Sequence, residues 1–577
     1  MSGAWMHLRA PGAVVALILV VSTLLAAFVQ AAPGDVRPGV GRTVLIEPGD
    51  GGRVALEAFA SAPKVEDDIC IRFLPGDHRL TSAPLLFRDA RRIRVEGVAG
   101  ATRLLFTGFD HGAFRFERCG EVSVKGLTID WECPPHSVGV VSKASATAFD
   151  LTLDSAFPPF PAPPPLVALN LFDPHARAPA RPSIALAASD ILKVDAVGSR
   201  TLFVRTKASH GLRDGDTLVA RHAMYGGDAF AFWQCASVRV RDTVVHACPG
   251  MAFSGHACGD VLVSGCSVVL PPGKSGRLMT STADGVHFSD TSGTVEVARC
   301  RIENTGDDAV NIYSLYLHVD EQPNPRTLVL SHRYPHLFPP NLSPGGELAI
   351  VTAAGLRPVC RVRISSANVE AARQRIVVGL ADNLPQTLPS EQLLASQTGG
   401  GPRSWIHDCD VRGVRGRAFL SSTPDVVIEN NRVSNIQCGS VLLVPDWCDW
   451  GLAGAVARGV IRGNKTEFTN AGPGECEADI TVTAYTKGWK LPPQPIHGNI
   501  VVEDNTIAHT GQAWLFAGAT GKVSAARNSI LGCCEIPRRH EGWAAAATRN
   551  TSEVLLMDNS LQWAAEGDAR FVPMRRE

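Results

Sequence analysis

The stretch from Ala283 to Tyr313 reads ADGVHFSDTSGTVEVARCRIENTGDDAVNIY and decides how the rest of the chain is interpreted. It carries Asp284 near its start and the pair Asp307-Asp308, whose first member follows Asp284 by 23 residues. An eight-position pattern, apolar-x-apolar-x-x-Cys/Asn-x-apolar, recurs along the chain, often at intervals of 22 or 23 residues. It starts at Val122, Val238, Val261, Val295, Ser404, Val426, Ile500, Val523 and Val554. Short alternating strands repeated at this period predict a solenoid.

The spacing of the three aspartates equals one repeat. In a parallel β-solenoid each turn rises by roughly 4.8 Å, so residues one repeat apart stack on the same face. Asp284 is therefore expected in the rung next to Asp307 and Asp308. Three carboxylates on one face repel each other, and a pure scaffold has little reason to keep them. The spacing predicts an acid/base site.

Carboxyl pairs of this kind are suited to hydrolysis of a glycosidic bond. One carboxyl, kept protonated, gives its proton to the leaving oxygen, and another activates water or attacks carbon. We predict that Asp307 is the general acid, because it lies between the charges of Asp284 and Asp308 and should be the last to lose its proton. Asp284 and Asp308 would then hold and activate the water. Inversion requires the acid and base side chains to splay apart, by roughly 6.5 to 9.5 Å.

Four further residues are predicted to bind the substrate. His287 follows Asp284 by three residues and Asn311 follows Asp308 by three, so both are expected to face the same groove. Asp130 and Trp450 offer a carboxylate and an aromatic plane of the kind that stacks on sugar faces.

Composition narrows the class of partner. The 577 residues include 55 basic and 56 acidic side chains, a formal net charge of −1, and no long run of one sign. This balance argues against a nucleic-acid or membrane-surface partner and favours a neutral one. The sequence has no Walker-type loop, dinucleotide fingerprint, Ser-centred elbow or zinc-spaced Cys/His cluster. We therefore expect no cofactor and no bound metal.

The N-terminus has the pattern of a secretory signal peptide. Arg9 precedes an apolar run over residues 13–29, and the small residues Ala31 and Ala32 follow it. We expect cleavage near this point, removal of residues 1–31, and a secreted or periplasmic protein with no membrane contact after cleavage. An uncleaved anchor is the alternative, because the run is long for a signal.

The repeat pattern also predicts the domain organisation. Two stretches lose the repeat and alternate as antiparallel strands do, between Pro and Gly turns, so we expect an all-β solenoid with two inserted small β-barrels. The predicted segments are the signal peptide at 1–31, the first rungs at 32–136, an inserted barrel at 137–225, the rungs with the acidic site at 226–314, a second inserted barrel at 315–402, and the C-terminal rungs at 403–577.

These features resemble glycoside hydrolase family 110. The resemblance spans most of the mature chain and rests on LTIDW at Leu127, ADGVHFS at Ala283, GDDAVNI at Gly306, RGRAFLSSTPDVVIENNRVSN at Arg415 and DWCDWGLAG at Asp446. It implies a right-handed parallel β-helix with inserted β-barrels and a secreted, exo-acting enzyme that needs no cofactor. Such an enzyme removes terminal α-1,3-linked galactose with inversion, from blood-group-B-like or linear glycans. The family's acidic residues correspond to Asp284, Asp307 and Asp308.

The sequence departs from the family pattern at two places. A Trp-aromatic-Glu-Ser-Gly run is replaced by Trp450 to Gly454, which puts Leu452 where the family has a Glu, and Asn-Val-His-Gly is replaced by Asn311 to Ser314. Three alternatives therefore stay open. They are a catalytically silent carbohydrate-binding β-helix, a polygalacturonase-like hydrolase, and a calcium-dependent polysaccharide lyase. The Gly-His-Gly and Arg-x-Lys motifs of polygalacturonases are not found after Asp308, which favours a neutral sugar.

Overall fold

The regular secondary structure of the described residues is almost entirely β-strand. The computed structural model describes residues 42–49, 68–80, 84–159, 164–273, 276–334, 337–385, 388–399, 403–448, 450–472, 476–534, 545–562 and 575–576. The predicted signal peptide at 1–31 lies outside these residues. Within them, no helix is long and apolar enough to cross a membrane.

Three sheets of parallel strands wind around one core, so the predicted parallel β-helix is confirmed. Sheet A has thirteen strands: Arg42–Ile46, Asp68–Phe73, Arg92–Glu96, Glu121–Lys125, Ser237–Arg241, Asp260–Ser264, Thr294–Ala298, Arg403–His407, Asp425–Glu429, Arg458–Arg462, His497–Glu503, Thr520–Ala526 and Glu553–Met557. Sheet B has twelve: Gly76–Leu80, Thr102–Phe106, Thr128–Trp131, Val244–Val245, Ser267–Val268, Arg301–Glu303, Asp410–Arg412, Arg432–Ser434, Lys465–Glu467, Thr506–Ala508, Ser529–Leu531 and Ser560–Gln562.

Sheet C is the third wall of the helix. Twelve of its strands follow one path: Leu85–Arg88, Phe114–Glu117, Phe230–Trp233, Phe253–His256, Val286–Ser289, Val310–Leu315, Phe419–Ser422, Val441–Leu443, Ala478–Val482, Ala513–Gly518, Ala546–Arg549 and Arg575–Arg576. The short strand Leu452–Ala453 pairs antiparallel with the end of Val310–Leu315. Phe230 stacks between Phe114 and Phe253 with ring centroids 5.1 and 5.7 Å apart, which fills the core at this wall.

The predicted repeat register is the register of sheet A. All nine starts fall in one column, and each pairs with the next start along the chain with one exception. Gly459 stands between Val426 and Ile500 and pairs with both. A Cβ at Gly459 would come within 2.9 Å of Ile500 Cδ1, so the isoleucine fills the space that an apolar side chain has in the other rungs.

A column of small polar side chains runs inside the turns between sheets A and B. Cys266, Cys300 and Cys409 are buried there, and each thiol contacts backbone carbonyls. Five asparagines continue the column, and the amide nitrogen of each of the first four donates to the Oδ1 of the next at 2.8 to 3.0 Å. They are Asn431, Asn464, Asn505, Asn528 and Asn559.

Two excursions leave the helix, as the loss of the repeat predicts. The second, from Leu317 to Gly399, is a closed barrel, as predicted. Its six strands are Leu317–Asn324, Thr327–His332, Glu347–Thr352, Pro358–Glu370, Arg375–Leu380 and Leu393–Gly399, with a 3-10 turn at Ala371–Arg373.

The first excursion runs from His136 to Arg221, and its described residues form an antiparallel sheet that does not close, which differs from the small β-barrel expected there. Its eight antiparallel strands are His136–Ser142, Ala148–Leu153, Ala168–Asp173, Ala178–Pro179, Ala185–Ala187, Ile191–Ala196, Thr201–Thr206 and Thr217–Arg221, with a 3-10 turn at Ala188–Asp190. Among the described residues no pairing joins the two edge strands. One edge ends after two residues at Pro179, which has no N–H group to continue a ladder.

Candidate active site

A long cleft follows the outward face of sheet C. It encloses about 1460 Å³, and its lining extends from Arg115 to Arg549, across ten successive strands of the sheet. At about 4.8 Å per strand, this corresponds to roughly 40 Å along the helix axis. Tyr225, which follows the first excursion, and Tyr334 and Leu337 of the second also line the cleft. Both excursions therefore contribute to its walls.

Asp284 and Asp308 stack in adjacent rungs of this cleft. The strands that follow them pair His287 with Asn311, so the two aspartates occupy the same position of the repeat. The backbone N–H of Asp308 donates to Asp284 Oδ1 at 3.0 Å, and the backbone N–H of Arg417 donates to Asp308 Oδ1 at 2.7 Å. The parallel register thus fixes each carboxylate against the next rung.

The three predicted catalytic carboxylates converge. One oxygen of each of Asp284, Asp307 and Asp308 lies within 4.8 Å of the others, and all three line the cleft. The side chains of Asp284 and Asp308 are each 3% exposed, whereas that of Asp307 is 21% exposed. Asp307 is therefore the member that most openly faces the cleft.

Two glycines allow the turns that carry the aspartates to stack closely. A Cβ at Gly306 would lie 2.4 Å from the carbonyl oxygen of Thr282, and a Cβ at Gly416 would lie 2.4 Å from Asp308 Oδ1. Neither distance is compatible with a side chain. These positions need glycine because the backbones approach each other, since neither residue has a positive φ.

Residues from outside the repeat hold the turns together. The Arg221 guanidinium, at the end of the first excursion, donates at 3.0 Å to the carbonyls of both Thr282 and Gly306. These carbonyls belong to the two turns that carry Asp284 and Asp307. The Tyr225 hydroxyl donates to Asp307 Oδ2 at 2.8 Å. The first excursion therefore positions the carboxylates.

Burial raises the pKa of two of the three carboxyls. Burial raises the pKa of Asp284 well above its usual range, and the nearby charge of Asp307 adds to the rise. Burial, together with the charges of Asp307 and Asp284, raises the pKa of Asp308 to about 7, although Arg417 opposes the rise. The protons of the cluster are therefore held on Asp284 and Asp308.

Asp307 behaves differently, which contradicts the reason given for it as the acid. Burial alone would raise the pKa of Asp307, but Arg415, Arg417, the Tyr225 hydroxyl and Arg221 outweigh burial and lower it. Arg415 Nη1 lies 3.6 Å from Asp307 Oδ1, and Arg417 Nη1 lies 3.5 Å from Asp308 Oδ1. Like-charge repulsion was the only effect visible in the sequence, whereas the fold adds positive charges beside Asp307.

His287 and Asn311 line the cleft beside the carboxylates, where the sequence places them. His287 Nδ1 is 2.5 Å from Asp284 Oδ2, and its Nε2 is 3.0 Å from the Tyr313 hydroxyl. Burial lowers the pKa of His287 to about 4, so the ring is neutral near pH 7. Asn311 Nδ2 donates to Asp308 Oδ2 at 3.4 Å, while its buried Oδ1 has no partner among the described residues.

The predicted sugar-binding role of Asp130 is wrong. Asp130 lies on the sheet B strand Thr128–Trp131, it does not line the cleft, and Arg277 binds its Oδ1 at 2.6 Å. Its neighbour Trp131 is fully buried and stacks on Phe106. The indole is a core group, whereas the carboxylate is held by Arg277, and neither lines the cleft because their strand belongs to a different wall of the helix. Trp450, in contrast, lines the cleft and is 54% exposed.

One buried carboxyl of the cleft was missed in the sequence. Asp228 occupies the position of Asp284 two rungs earlier, because Phe230 pairs with Phe253 and Phe253 with Val286. Its carboxylate accepts the backbone N–H of Met251 at 2.9 Å, as Asp284 accepts that of Asp308. Burial raises its pKa. The signal was present: Asp228-Ala-Phe has the same form as Asp284-Gly-Val and Asp308-Ala-Val.

The three carboxylates are close enough to bind one cation, and oxygen ligands suit calcium or magnesium. Positive charge is already supplied by Arg415 and Arg417, which lie 3.6 and 3.5 Å from two of these carboxylates. A cation would have to compete with both guanidinium groups. The site therefore fits acid/base chemistry better than cation binding.

No protein-family model matches the chain. Three curated relatives are similar to it in sequence. α-1,3-Galactosidase B of Akkermansia muciniphila is 26% identical over 63% of this chain and 46% of that protein. α-1,3-Galactosidase A of Bacteroides fragilis is 26% identical over 56% of this chain and 54% of that protein. α-1,3-Galactosidase A of Akkermansia muciniphila is 22% identical over 85% of each. The chain thus spans about half the length of the first two relatives.

Solved structures are similar to the chain at a lower sequence identity than these relatives. A family 28 exopolygalacturonase of Yersinia enterocolitica is 11% identical, with a TM-score of 0.36 over 93% of this chain and 78% of that chain. A family 87 α-1,3-glucanase of Streptomyces thermodiastaticus is 10% identical, with a TM-score of 0.34 over 93% and 71%. At these TM-scores the likenesses support no statement about this chain.

Proposed function

We propose that the chain is an exo-acting glycosidase that removes terminal α-1,3-linked galactose from glycans, with inversion at the anomeric carbon. The observation that carries the proposal is the convergence of Asp284, Asp307 and Asp308 in one cleft. The relatives named α-1,3-galactosidase support the choice of sugar and linkage.

The electrostatics of the cluster suggest how the carboxyls divide the work. Asp308, with a pKa of about 7, donates the proton to the leaving oxygen as the bond from that oxygen to the anomeric carbon breaks. Asp307, which is ionised, takes a proton from the water whose oxygen attacks that carbon. Asp284 is held by His287 and by the backbone N–H of Asp308, and it orients the pair. This assignment reverses the one expected from the sequence.

Inversion is proposed from the resemblance to glycoside hydrolase family 110. Inverting and retaining enzymes both use two carboxyls, and in an inverting enzyme one of them activates the water that attacks the anomeric carbon. The oxygen separation opposes this choice. At most 4.8 Å separates these oxygens, which is below the roughly 6.5 to 9.5 Å usual for inversion, so the side chains do not splay as expected. If the reaction retains configuration, Asp307 is the nucleophile.

The binding groups suit a neutral sugar. Asn311 and Tyr313 line the cleft beside the carboxylates, and the ring of His287 is neutral near pH 7. The Tyr313 hydroxyl, which lies 3.0 Å from His287 Nε2, is a hydrogen-bond partner for a sugar hydroxyl.

The test is to incubate the purified protein with an α-1,3-galactosyl trisaccharide and to quantify free galactose by ion chromatography. We expect galactose from the trisaccharide and none from Asp307→Asn. Polygalacturonate and an excess of chelator are included as separate arms. Products only from polygalacturonate, or loss of all activity with the chelator, would replace the proposal by the polygalacturonase-like or calcium-dependent alternative.

The division of roles is tested with two leaving groups. Asp308→Asn and Asp307→Asn are assayed on the trisaccharide and on an aryl α-galactoside, whose leaving group needs no proton. The aryl substrate should restore most of the rate of Asp308→Asn and little of that of Asp307→Asn. The opposite pattern would return the acid role to Asp307.

Glycan binding without turnover is the second candidate function. It is favoured by the ion contacts of Arg415 and Arg417, which neutralise two of the three carboxylates. Saturable binding of the trisaccharide, with no galactose released between pH 4 and 9, would select this candidate.

We also propose that the protein is exported through its N-terminal segment, on the pattern of Arg9 and the apolar run at 13–29. Mass spectrometry of the extracellular or periplasmic fraction should find a mature chain that begins near residue 32. A chain that keeps the apolar run in the membrane fraction would contradict this.

A further inference from the structure

The cleft continues well past the carboxylates, and its chemistry changes along one row of side chains. In the register of sheet C, His287 pairs with Asn311, and Asn311 with Leu420. The row then passes through Leu442, Thr481 and Phe516. Leu420, Leu442 and Phe516 line the cleft, although they stand at outward positions where a solvated sheet carries polar residues. The cleft therefore has a polar half at the carboxylates and an apolar floor beyond them.

A half-exposed tryptophan stands over this apolar half. Trp489 is 52% exposed and lines the same cleft as the carboxylates. It sits in a tight turn closed by backbone hydrogen bonds between Thr486 and Lys490, of which Thr486 N to Lys490 O is 2.9 Å. Gly488 and Trp489 have φ of +79° and +58°. A left-handed backbone is rare for a bulky residue and costs of order 1 to 3 kcal/mol, which is often found at functional sites.

The indole is supported from one side. The Tyr485 ring packs against Trp489 edge-on, with centroids 5.2 Å apart and planes at 66°. The Tyr485 hydroxyl in turn donates to Glu477. Tyr485 is anchored to the helix because the backbone N–H of Trp447 donates to its carbonyl at 2.9 Å. An exposed aromatic plane is thus held in a fixed position at the cleft.

We propose that Trp489, supported by Tyr485, is a stacking platform for a pyranose ring in the aglycone part of the glycan. The proposal rests on the proposed function and extends it to substrate length. Thr481, the row member four residues before Tyr485, lies three strands from Asn311. This is about 14 Å along the axis, so the platform serves the sugars beyond the bond that is cut.

The surroundings select a sugar rather than a wholly apolar group. A pyranose offers C–H groups on its faces and hydroxyls around its edge, so it needs an aromatic plane with polar groups beside it. Glu477, Gln512 and Arg549 line this part of the cleft and supply these polar groups. An alkyl chain offers these groups no hydrogen bond, whereas the hydroxyls of a sugar do.

The test compares a substrate that reaches the platform with one that does not. α-Galactosyl fluoride has a leaving group of one atom, so it cannot contact Trp489, whereas an α-1,3-galactosyl tetrasaccharide extends across it. We expect Trp489→Ala to lower kcat/KM about tenfold for the tetrasaccharide and less than twofold for the fluoride, with Trp489→Phe in between. The matched control is Trp405→Ala, since Trp405 is partly exposed on sheet A outside the cleft. It should change neither value by more than twofold.

If Trp489→Ala lowers kcat/KM equally for both substrates, or for neither, Trp489 is not a stacking platform. A larger loss on an octyl α-galactoside than on the tetrasaccharide would overturn the choice of a sugar. If the wild-type protein hydrolyses nothing, the proposed function fails separately. The stacking role is then tested by titrating Asp307→Asn with the tetrasaccharide and following tryptophan fluorescence. If the tetrasaccharide quenches the fluorescence of Asp307→Asn but not that of the double variant Asp307→Asn/Trp489→Ala, the stacking role is supported. Equal quenching in both proteins refutes it.

Discussion

Two columns of side chains run along this β-helix and use opposite chemistry in the same register. In the asparagine column each amide donates to the next rung and also accepts from the previous one, as Asn464 does between Asn431 and Asn505. In the aspartate column the carboxylates only accept. Asp284 accepts the N–H of Asp308, and Asp308 accepts that of Arg417. The first column is neutral and satisfied by its own members, whereas the second consists of ionisable carboxyls, whose charge its members cannot neutralise once they lose their protons.

This difference distinguishes the asparagine column, which stabilises the fold, from the aspartate column, which can take part in acid/base chemistry. The aspartate turns depend on groups of other chemistry, namely Arg221 and Tyr225 at and after the end of the first excursion and Arg415 and Arg417 in the next rung of the helix. Buried carboxylates with raised pKa values lower the stability of the fold at neutral pH, so their presence needs a functional reason. Exchanging the chemistry of the two columns tests this comparison directly.

The largest effect on activity is expected when an aspartate of the aspartate column is replaced by asparagine. Asp308→Asn keeps the shape and the acceptor for Arg417 but removes the titratable proton, so kcat/KM on the trisaccharide should fall on the order of a thousandfold. The circular dichroism spectrum should be unchanged. A folded Asp308→Asn protein that keeps more than a tenth of wild-type activity would remove Asp308 from the chemistry.

The reverse exchange, of an asparagine in the asparagine column for aspartate, should lower the stability of the fold and leave the activity of the site unchanged. Asn464→Asp places a charge in the asparagine column and deletes the donor to Asn505 Oδ1 and to the Ile428 carbonyl. We expect the free energy of unfolding to fall by about 3 kcal/mol at pH 8 and by less at pH 5, because the buried carboxyl regains a proton and a donor. Urea denaturation at the two pH values measures this.

Activity per folded molecule of Asn464→Asp should stay within about twofold of wild type, since the column lies between sheets A and B, away from the cleft. Asn464→Ala is the matched control, because it removes the same bonds without adding a charge. If Asn464→Asp is no less stable than Asn464→Ala at pH 8, the contrast between neutral and charged columns is wrong.

The pH dependence of activity follows from the raised pKa of Asp308. A general acid must hold its proton, so kcat/KM should decline above about pH 7, tenfold per pH unit. Asp307, whose pKa is lowered, stays ionised well into the acid range, so activity should be sustained to below pH 5. A profile that rises between pH 7 and 9 would contradict the assignment of a protonated acid.

The smallest effect concerns stability at alkaline pH. The folded-state pKa of Asp308 lies above its unfolded value, so the native state loses stability as pH rises from about 4 through about 7. Asp308→Asn lacks this loss, and its melting temperature should exceed that of wild type by a few degrees at pH 8. The gap should shrink towards pH 4. A lower melting temperature than wild type at pH 8 would mean that Arg417 already compensates the buried charge.

The fold could be predicted from the sequence wherever the structure follows the repeat. Apolar alternation and the Cys/Asn position gave the register of sheet A, because each rung packs only on its neighbours. It failed at Gly459, where Ile500 supplies the missing side chain, and at the closure of the first excursion. Both depend on contacts between residues that no short pattern connects.

The candidate site, like the fold, could be predicted where it follows the repeat and not where it depends on contacts from elsewhere in the chain. The repeat brought Asp284 and Asp308 together at a spacing of 24 residues (308 − 284), one more than the interval on which the prediction was based, and Asp228 was open to the same reasoning. The pKa of Asp307 could not be predicted, because Arg221 and Arg415 reach it from segments separated from it by an excursion or by a turn of the helix. Asp130 was misassigned because its sequence did not reveal which wall of the helix carries it.

The most direct test is a time course of the reaction by proton NMR. Wild-type protein, Asp307→Asn and Asp308→Asn are each mixed with the α-1,3-galactosyl trisaccharide, and the anomeric signals of released galactose are followed from the first minutes. The account predicts that wild type releases galactose first as the β-anomer and that neither variant releases a measurable amount in the same time. No galactose from wild type, or release from either variant at a rate comparable to that of wild type, would contradict the claim that these converging carboxylates are the catalytic site of a galactosidase.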